Sequence, residues 1–162
     1  MDTVYHTIEP VYDTHSRILI LGSFPSVKSR ESKFFYGHPR NRFWSVLAAV
    51  VSDSLPSSIE EKKAFLLRNH IAVWDVIASC EIKGSSDSSI RNVVPNQLNR
   101  ILLTAPIAQI YCNGATSHKL YQRYCEAETG RSAIRLPSTS PANAACSPEK
   151  LTESWKIITE NL

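Results

Sequence analysis

Short apolar runs, each closed by a turn signal and separated by stretches of helical length, set the plan of this chain. Arg17 Ile18 Leu19 Ile20 Leu21 is too short for a helix and breaks at Gly22 into Ser23 Phe24 Pro25 Ser26, so it reads as a buried strand ended by a turn. Ile71 to Asp75, Ile107 to Cys112 and Ala133 to Leu136 read as three more strands, and Asn113 Gly114 ends the second of these. Between them, Phe43 to Val51 puts Phe43, Trp44, Leu47 and Val50 on one helical stripe, with Asn41 placed to cap it. Ser58 and Glu61 have the spacing of a capping box and open a helix from Ser58 to His70. Pro95 opens a helix through Leu103, Thr116 to Glu128 is a helix stopped by Gly130, and Pro148 to Glu160 closes the chain as another. The Ser-rich stretch from Lys83 to Asn92 reads as a loop.

Strand and helix alternate four times, which predicts an α/β fold: a three-layer α/β/α arrangement around a central, mainly parallel four-stranded sheet. In such a sheet the ligand site lies beyond the carboxyl ends of the strands. Gly22 to Ser26, Trp74 to Cys80, Asn113 Gly114 and Leu136 to Asn143 are therefore expected at one edge.

The segment after the first strand is unusual for a surface loop. Phe35 and Tyr36 stand beside His38, Arg40 and Asn41, a grouping suited to a flat, polar ligand, although a packed omega-type loop accounts equally well for the aromatics. Lys28, Arg30, Lys33, Arg40 and Arg42 cluster there with Glu31 as the single acid. A formal net charge of +3 is too small to identify a polyanionic partner, so this local cluster matters more than the total. An ordinary solvated surface has the same look.

With 162 residues and 43% hydrophobic content the chain can close one sizeable core and is too short for two ordinary domains, so residues 1–162 are expected to form a single domain. No apolar run approaches bilayer length, and Met1 Asp2 Thr3 Val4 Tyr5 His6 lacks a basic segment followed by an apolar one, which points to a cytoplasmic protein with no membrane partner. Cys80, Cys112, Cys125 and Cys146 are widely spaced and contain no Cys-x-x-Cys pair, so neither a metal site nor a disulfide framework is expected.

Four segments carry a family resemblance. Gly22 Ser23 Phe24 Pro25 is similar to the Gly-x-x-Pro turn of the uracil-DNA glycosylase superfamily, and His38 Pro39 Arg40 Asn41 Arg42 Phe43 Trp44 to the His-Pro-x-Asn-x-Phe-Trp segment of its mismatch-specific branch. Leu136 Pro137 Ser138 Thr139 Ser140 Pro141 Ala142 Asn143 occupies the place of the superfamily's second motif. With Trp74 to Cys80 and Gly84 Ser85 Ser86 Asp87, it resembles the hypoxanthine (deoxyinosine) DNA glycosylases in particular. The resemblance covers nearly the whole chain and implies a monomeric, monofunctional enzyme. It would flip deoxyinosine, or alternatively uracil, out of damaged DNA and hydrolyse its N-glycosidic bond to leave an abasic site, without metal or other cofactor. Iron–sulfur branches of the superfamily use a Cys-x-x-Cys pair that this chain lacks.

The resemblance makes Asn113 the base reader. A primary amide accepts from a ring N–H and donates to the adjacent carbonyl, which suits hypoxanthine and uracil and opposes adenine; a simple Asn-Gly turn is its competing, weaker role. Much of the superfamily places water with an Asp or Asn at the position of Phe24, which cannot do so, and the hypoxanthine branch shares that loss; Asn41 becomes the catalytic candidate, with a helix cap as its competing role. His38 is a second candidate, as a donor to the leaving base or to a phosphate, against a packed turn residue. Phe24, Phe35, Tyr36, Asp75 and Ser79 are assigned to the base pocket, and Ser23, Pro25, Ser26, Arg40, Ser138, Thr139 and Ser140 to DNA contacts, the last three by pinching the backbone in place of a wedge. Leu136 stands where many members carry His or Asn, which removes a usual leaving-group stabiliser. A catalytically dead DNA-binding module is the rival suggested by Phe24 and Leu136; a small-nucleotide binder is disfavoured because the first turn lacks a Gly-rich phosphate cradle.

Overall fold

The computed structural model describes residues 2–162. In chain order the elements are β1 (Thr3–Tyr5), β2 (Ile18–Gly22), α1 (Val27–Ser32), α2 (Phe43–Val51), α3 (Ile59–Arg68), β3 (Ile71–Asp75), β4 (Ile77–Glu81), β5 (Arg91–Pro95), α4 (Asn99–Leu102), β6 (Gln109–Asn113), α5 (Ala115–Tyr124), α6 (Glu126–Thr129), β7 (Ala133–Leu136) and α7 (Pro148–Trp155). A 3₁₀ stretch, Lys156–Asn161, follows α7.

The four predicted strands form one all-parallel sheet in the order β3-β2-β6-β7. Every residue of β2 and β3 is buried, so both faces of the sheet are covered, as continuous apolar runs demand. Register then creates the site. Gly22 pairs with Asp75, Leu21 with Cys112, and Asn113 with Leu136, so the last residues of all four strands stand in one row. The helix α2 packs on α7, with the Phe43 and Trp155 rings edge to face at 6.0 Å. The Trp155 indole N–H donates to the Pro137 carbonyl at 2.9 Å, tying the segment after β7 to the last helix.

Several boundaries differ from expectation. A second, antiparallel sheet, β1-β4-β5, takes up Ile77–Glu81 and Arg91–Pro95, so the segment after Trp74 and part of the supposed Ser-rich loop are strands. Pro95 ends β5 opposite Ile77, and the helix expected from Pro95 shrinks to Asn99–Leu102. The helix expected over Thr116–Glu128 breaks at Cys125, where φ is −126°. An unexpected short helix, α1, starts at Ser26, whose hydroxyl accepts from the Ser29 N–H, and stops at Lys33 in the left-handed region. The Ser58 hydroxyl caps α3 by accepting from Glu61 N–H at 3.0 Å, while the Glu61 carboxylate reaches Ser57 N–H instead of closing on Ser58.

Candidate active site

A cavity of about 380 Å³ opens where the row of strand ends meets the loops that follow β2 and β7. Its walls include Gly22, Ser23, Phe24, Pro25, Ser26, Phe35, Tyr36, His38, Asn41, Asp75 and Asn113, with Ser138, Thr139 and Ser140 opposite. It falls within the size range of small-molecule sites, roughly 300–1,000 Å³. Of the residues assigned from sequence, two lie outside it. Ser79 sits within β4, paired with Tyr5 and Val94, because the chain turns into a strand immediately after Asp75 and Val76. Arg40 is exposed on the surface beside the cavity.

The floor is built from β2 and β3. A Cβ on Gly22 would meet Asp75 Oδ1 at 2.3 Å and the Tyr36 hydroxyl at 3.0 Å, so only glycine allows these two groups to lie against the strand end. The other carboxylate oxygen, Asp75 Oδ2, is 2.7 Å from His6 Nε2, and both side chains are buried. His6 is a residue that sequence reasoning missed. Its ring also lies 6.1 Å from those of Phe24 and Phe35, so the segment just after β1 backs the pocket.

Tyr36 adopts φ 52° and stacks on Phe43 at 3.9 Å between ring centroids, which turns its ring against α2. Its hydroxyl is buried without a hydrogen-bond partner among the described residues. Burial first, and then the Asp75 carboxylate, push its pKa far above the ordinary value despite the neighbouring Asn113 amide, so it stays a neutral phenol. Phe35 is in the core, edge to face with Phe34 at 5.4 Å, so the aromatic pair builds the wall rather than an open stacking platform.

The opposite wall is a chain of hydrogen bonds through Thr139, which is fully buried. Thr139 N–H donates to Asn113 Oδ1 at 3.0 Å, Asn113 Nδ2 donates to Thr139 Oγ1 at 3.0 Å, and Thr139 Oγ1 donates to Asn41 Oδ1 at 2.8 Å. Asn41 Oδ1 also accepts the Phe43 N–H at 3.0 Å, so the expected capping of α2 exists, from one residue before the cap position. The assignment of Thr139 as a DNA contact needs correcting: the residue is fully buried, its N–H is given to Asn113 and its hydroxyl hydrogen to Asn41. Arg42 is corrected too. Its guanidinium donates to the carbonyls of Cys146, Ser140 (2.9 Å) and Asn143 (3.0 Å), and Arg42 N–H donates to Thr139 O, so it staples the Ser138–Cys146 loop instead of pointing outward. Gly114, at φ 97°, lets this loop approach, since a Cβ there would lie 3.1 Å from Ser138 Cβ.

His38 Nδ1 accepts the Arg40 N–H at 3.0 Å, which leaves Nε2 for the cavity. Ser85 and Asp87, noted in the sequence only as part of a motif, line the rim. Burial raises the Asp87 pKa against the lowering effect of the Ser23 and Thr116 hydroxyls. No group of three or more His, Cys, Asp or Glu side chains disposed to hold a metal ion occurs among the described residues. Burial pushes the Cys112 thiol up to about 12, making it a poor nucleophile. No helix is long and apolar enough to cross a membrane among the described residues.

Residues 9–160 match the family model of the uracil DNA glycosylase superfamily. A hypoxanthine DNA glycosylase of Methanosarcina acetivorans is 31% identical over 149 residues, covering 91% of this chain and 93% of that protein. A second one, of Methanosarcina barkeri, is 34% identical over 110 residues, 67% of this chain and 70% of that protein. The solution NMR structure of a provisionally assigned uracil DNA glycosylase from Methanosarcina acetivorans superposes with a TM-score of 0.78 at 28% identity, covering 94% of this chain and 96% of that one. On the strength of the family match over almost its full length and the shared fold, this chain belongs to the uracil DNA glycosylase superfamily.

Proposed function

We propose that this chain is a monofunctional DNA glycosylase that hydrolyses the N-glycosidic bond of deoxyinosine. The observation that carries this reading is the meeting of the Asn41 and Asn113 amides in one cavity at the strand ends, joined through Thr139. The hypoxanthine DNA glycosylases among its relatives support the same substrate.

In this reading the nucleotide leaves the duplex and its base enters the cavity. Asn113 Oδ1 has a lone pair beyond the one taken by Thr139 N–H, and its Nδ2 has a second hydrogen beyond the one given to Thr139 Oγ1. Because Thr139 engages the oxygen and the nitrogen side by side, the free lone pair and the free hydrogen diverge, and one of them reads the base: Oδ1 accepts N1–H of hypoxanthine. Adenine carries no hydrogen on N1 and leaves that lone pair without a donor, at about 1–3 kcal/mol. The C1′–N9 bond then breaks with its electron pair going to the base, the sugar takes on oxocarbenium character, and water adds to C1′ and loses a proton. Asn41 and His38 stand on the cavity wall as the groups available to the reacting centre. Ser23, Pro25, Ser26, Ser138 and Ser140 line the same cavity as the DNA-contacting groups, and in this reading the chain acts as one catalytic domain and as a monomer.

Incubating the protein with duplexes carrying one inosine or one uracil, and quantifying free base, tests this reading. Hypoxanthine release under single-turnover conditions is expected. Release of uracil alone would transfer the assignment to the uracil branch, and binding without release of either base would leave a DNA-binding module.

A further inference from the structure

Asn41 and Asn113 are amides, and an amide presents opposite chemistry depending on which end faces the pocket. Here the ends are set by groups that cannot change role. A backbone N–H only donates, and Thr139 N–H faces Asn113 while Phe43 N–H faces Asn41. Asn113 therefore turns its oxygen to Thr139 N–H and its nitrogen to Thr139 Oγ1. Thr139 Oγ1, having accepted that bond, has its single hydrogen left to donate, and it goes to Asn41 Oδ1. The Asn41 oxygen is thus held by two donors, and its Nδ2 has no partner among the described residues while the side chain lines the cavity.

We propose that Thr139 is a positioning residue that fixes the polarity of both asparagines, so that Asn41 meets the reacting nucleotide as a hydrogen-bond donor through Nδ2. This rests on the glycosylase reading above. An acceptor would draw a proton from the attacking water; a donor aimed at that water would occupy the lone pair it needs. A donor is productive where negative charge develops, on the departing base. Asn41 then supplies what Leu136 cannot, a stabilising contact to the leaving group.

The test compares Asn41→Asp, Asn41→Ala, Thr139→Val and Thr139→Ser by single-turnover hypoxanthine release at saturating enzyme, with melting temperature measured on each. Asp keeps both accepted bonds and loses the donors, so Asn41→Asp should match Asn41→Ala, slowed about 10²–10³-fold, while melting like the native protein. Thr139→Val should slow release at least tenfold, and Thr139→Ser should restore it to within about threefold. An Asn41→Asp enzyme within threefold of native, or a fully active Thr139→Val, would overturn the proposal. Amide hydrogen exchange supplies a readout independent of catalysis. Thr139 N–H should be protected in the native protein and released by Asn113→Ala, and Phe43 N–H should be protected in Asn41→Asp but not in Asn41→Ala. Unprotected amides in the native protein would overturn the polarity; absent hypoxanthine release with these amides protected would instead remove the substrate assignment.

Discussion

His6 Nε2 lies 2.7 Å from Asp75 Oδ2, and the two side chains are only 2% and 5% exposed. This contact joins the segment after β1 to the end of β3, 69 residues later, and holds the carboxylate against Gly22. Removing one partner leaves a buried hydrogen-bonding group unsatisfied, at roughly 1–3 kcal/mol. His6→Ala should therefore lower unfolding stability by an amount in that range in denaturant titration. A loss under about 1 kcal/mol would mean that water replaces the imidazole, by comparison with the usual size of a single net hydrogen bond.

The same floor predicts an intolerant glycine. In Gly22→Ala the new methyl would stand 2.3 Å from Asp75 Oδ1, an oxygen on a carboxylate anchored by His6 and unable to swing away freely. Overpacking of this kind costs about 1–3 kcal/mol. Both melting temperature and base release should fall, and an alanine variant with native stability and rate would show that the floor yields.

Arg42 and Arg40 should separate cleanly. Arg42 spends its guanidinium on three loop carbonyls, so Arg42→Ala should expose the 138–146 loop to limited proteolysis and cost about 2 kcal/mol, in line with hydrogen bonds from charged donors. Exposed Arg40 should behave otherwise. If it meets a phosphate, Arg40→Ala leaves stability intact and reduces the salt slope of duplex binding by about 1. An unchanged slope would remove Arg40 from the DNA surface.

What was legible in the sequence, and what was not, follows from how each element is held. Ile18–Leu21 and Ile71–Asp75 are buried on both faces, and their unbroken apolar character announced them. The stripe of Phe43, Trp44, Leu47 and Val50 fixed α2 to the residue. Strands β1 and β5 carry mostly exposed side chains and depend on pairing with β4, so no local pattern marked them. Helix α1, with Ser29 as its buried residue, has no apolar stripe to see. At the site, motif spacing placed Asn41 and Asn113, yet the His6–Asp75 pair and the inward turn of Arg42 depend on contacts between distant segments. The resemblance groups Thr139 with Ser138 and Ser140 as DNA contacts, whereas the fold buries it between two amides, a placement that depends on segments distant in the chain.

Asn113→Ala removes the proposed reading of the base while leaving the loops that meet DNA in place. Affinity for inosine-containing duplex and the single-turnover rate should both drop, with affinity for undamaged duplex unchanged. A variant as active as the native protein would take Asn113 out of base recognition.

In the proposed reaction Asn41 acts on the reacting nucleotide and does more than cap α2. A lost cap costs about 1 kcal/mol of stability and leaves chemistry nearly untouched. The deciding measurement is the single-turnover rate of hypoxanthine release by Asn41→Ala, taken alongside its melting temperature. A rate lower by orders of magnitude is expected, with little change in affinity for inosine-containing DNA and a stability loss no greater than a cap's. A destabilised but fully active Asn41→Ala would contradict it and return Asn41 to the scaffold.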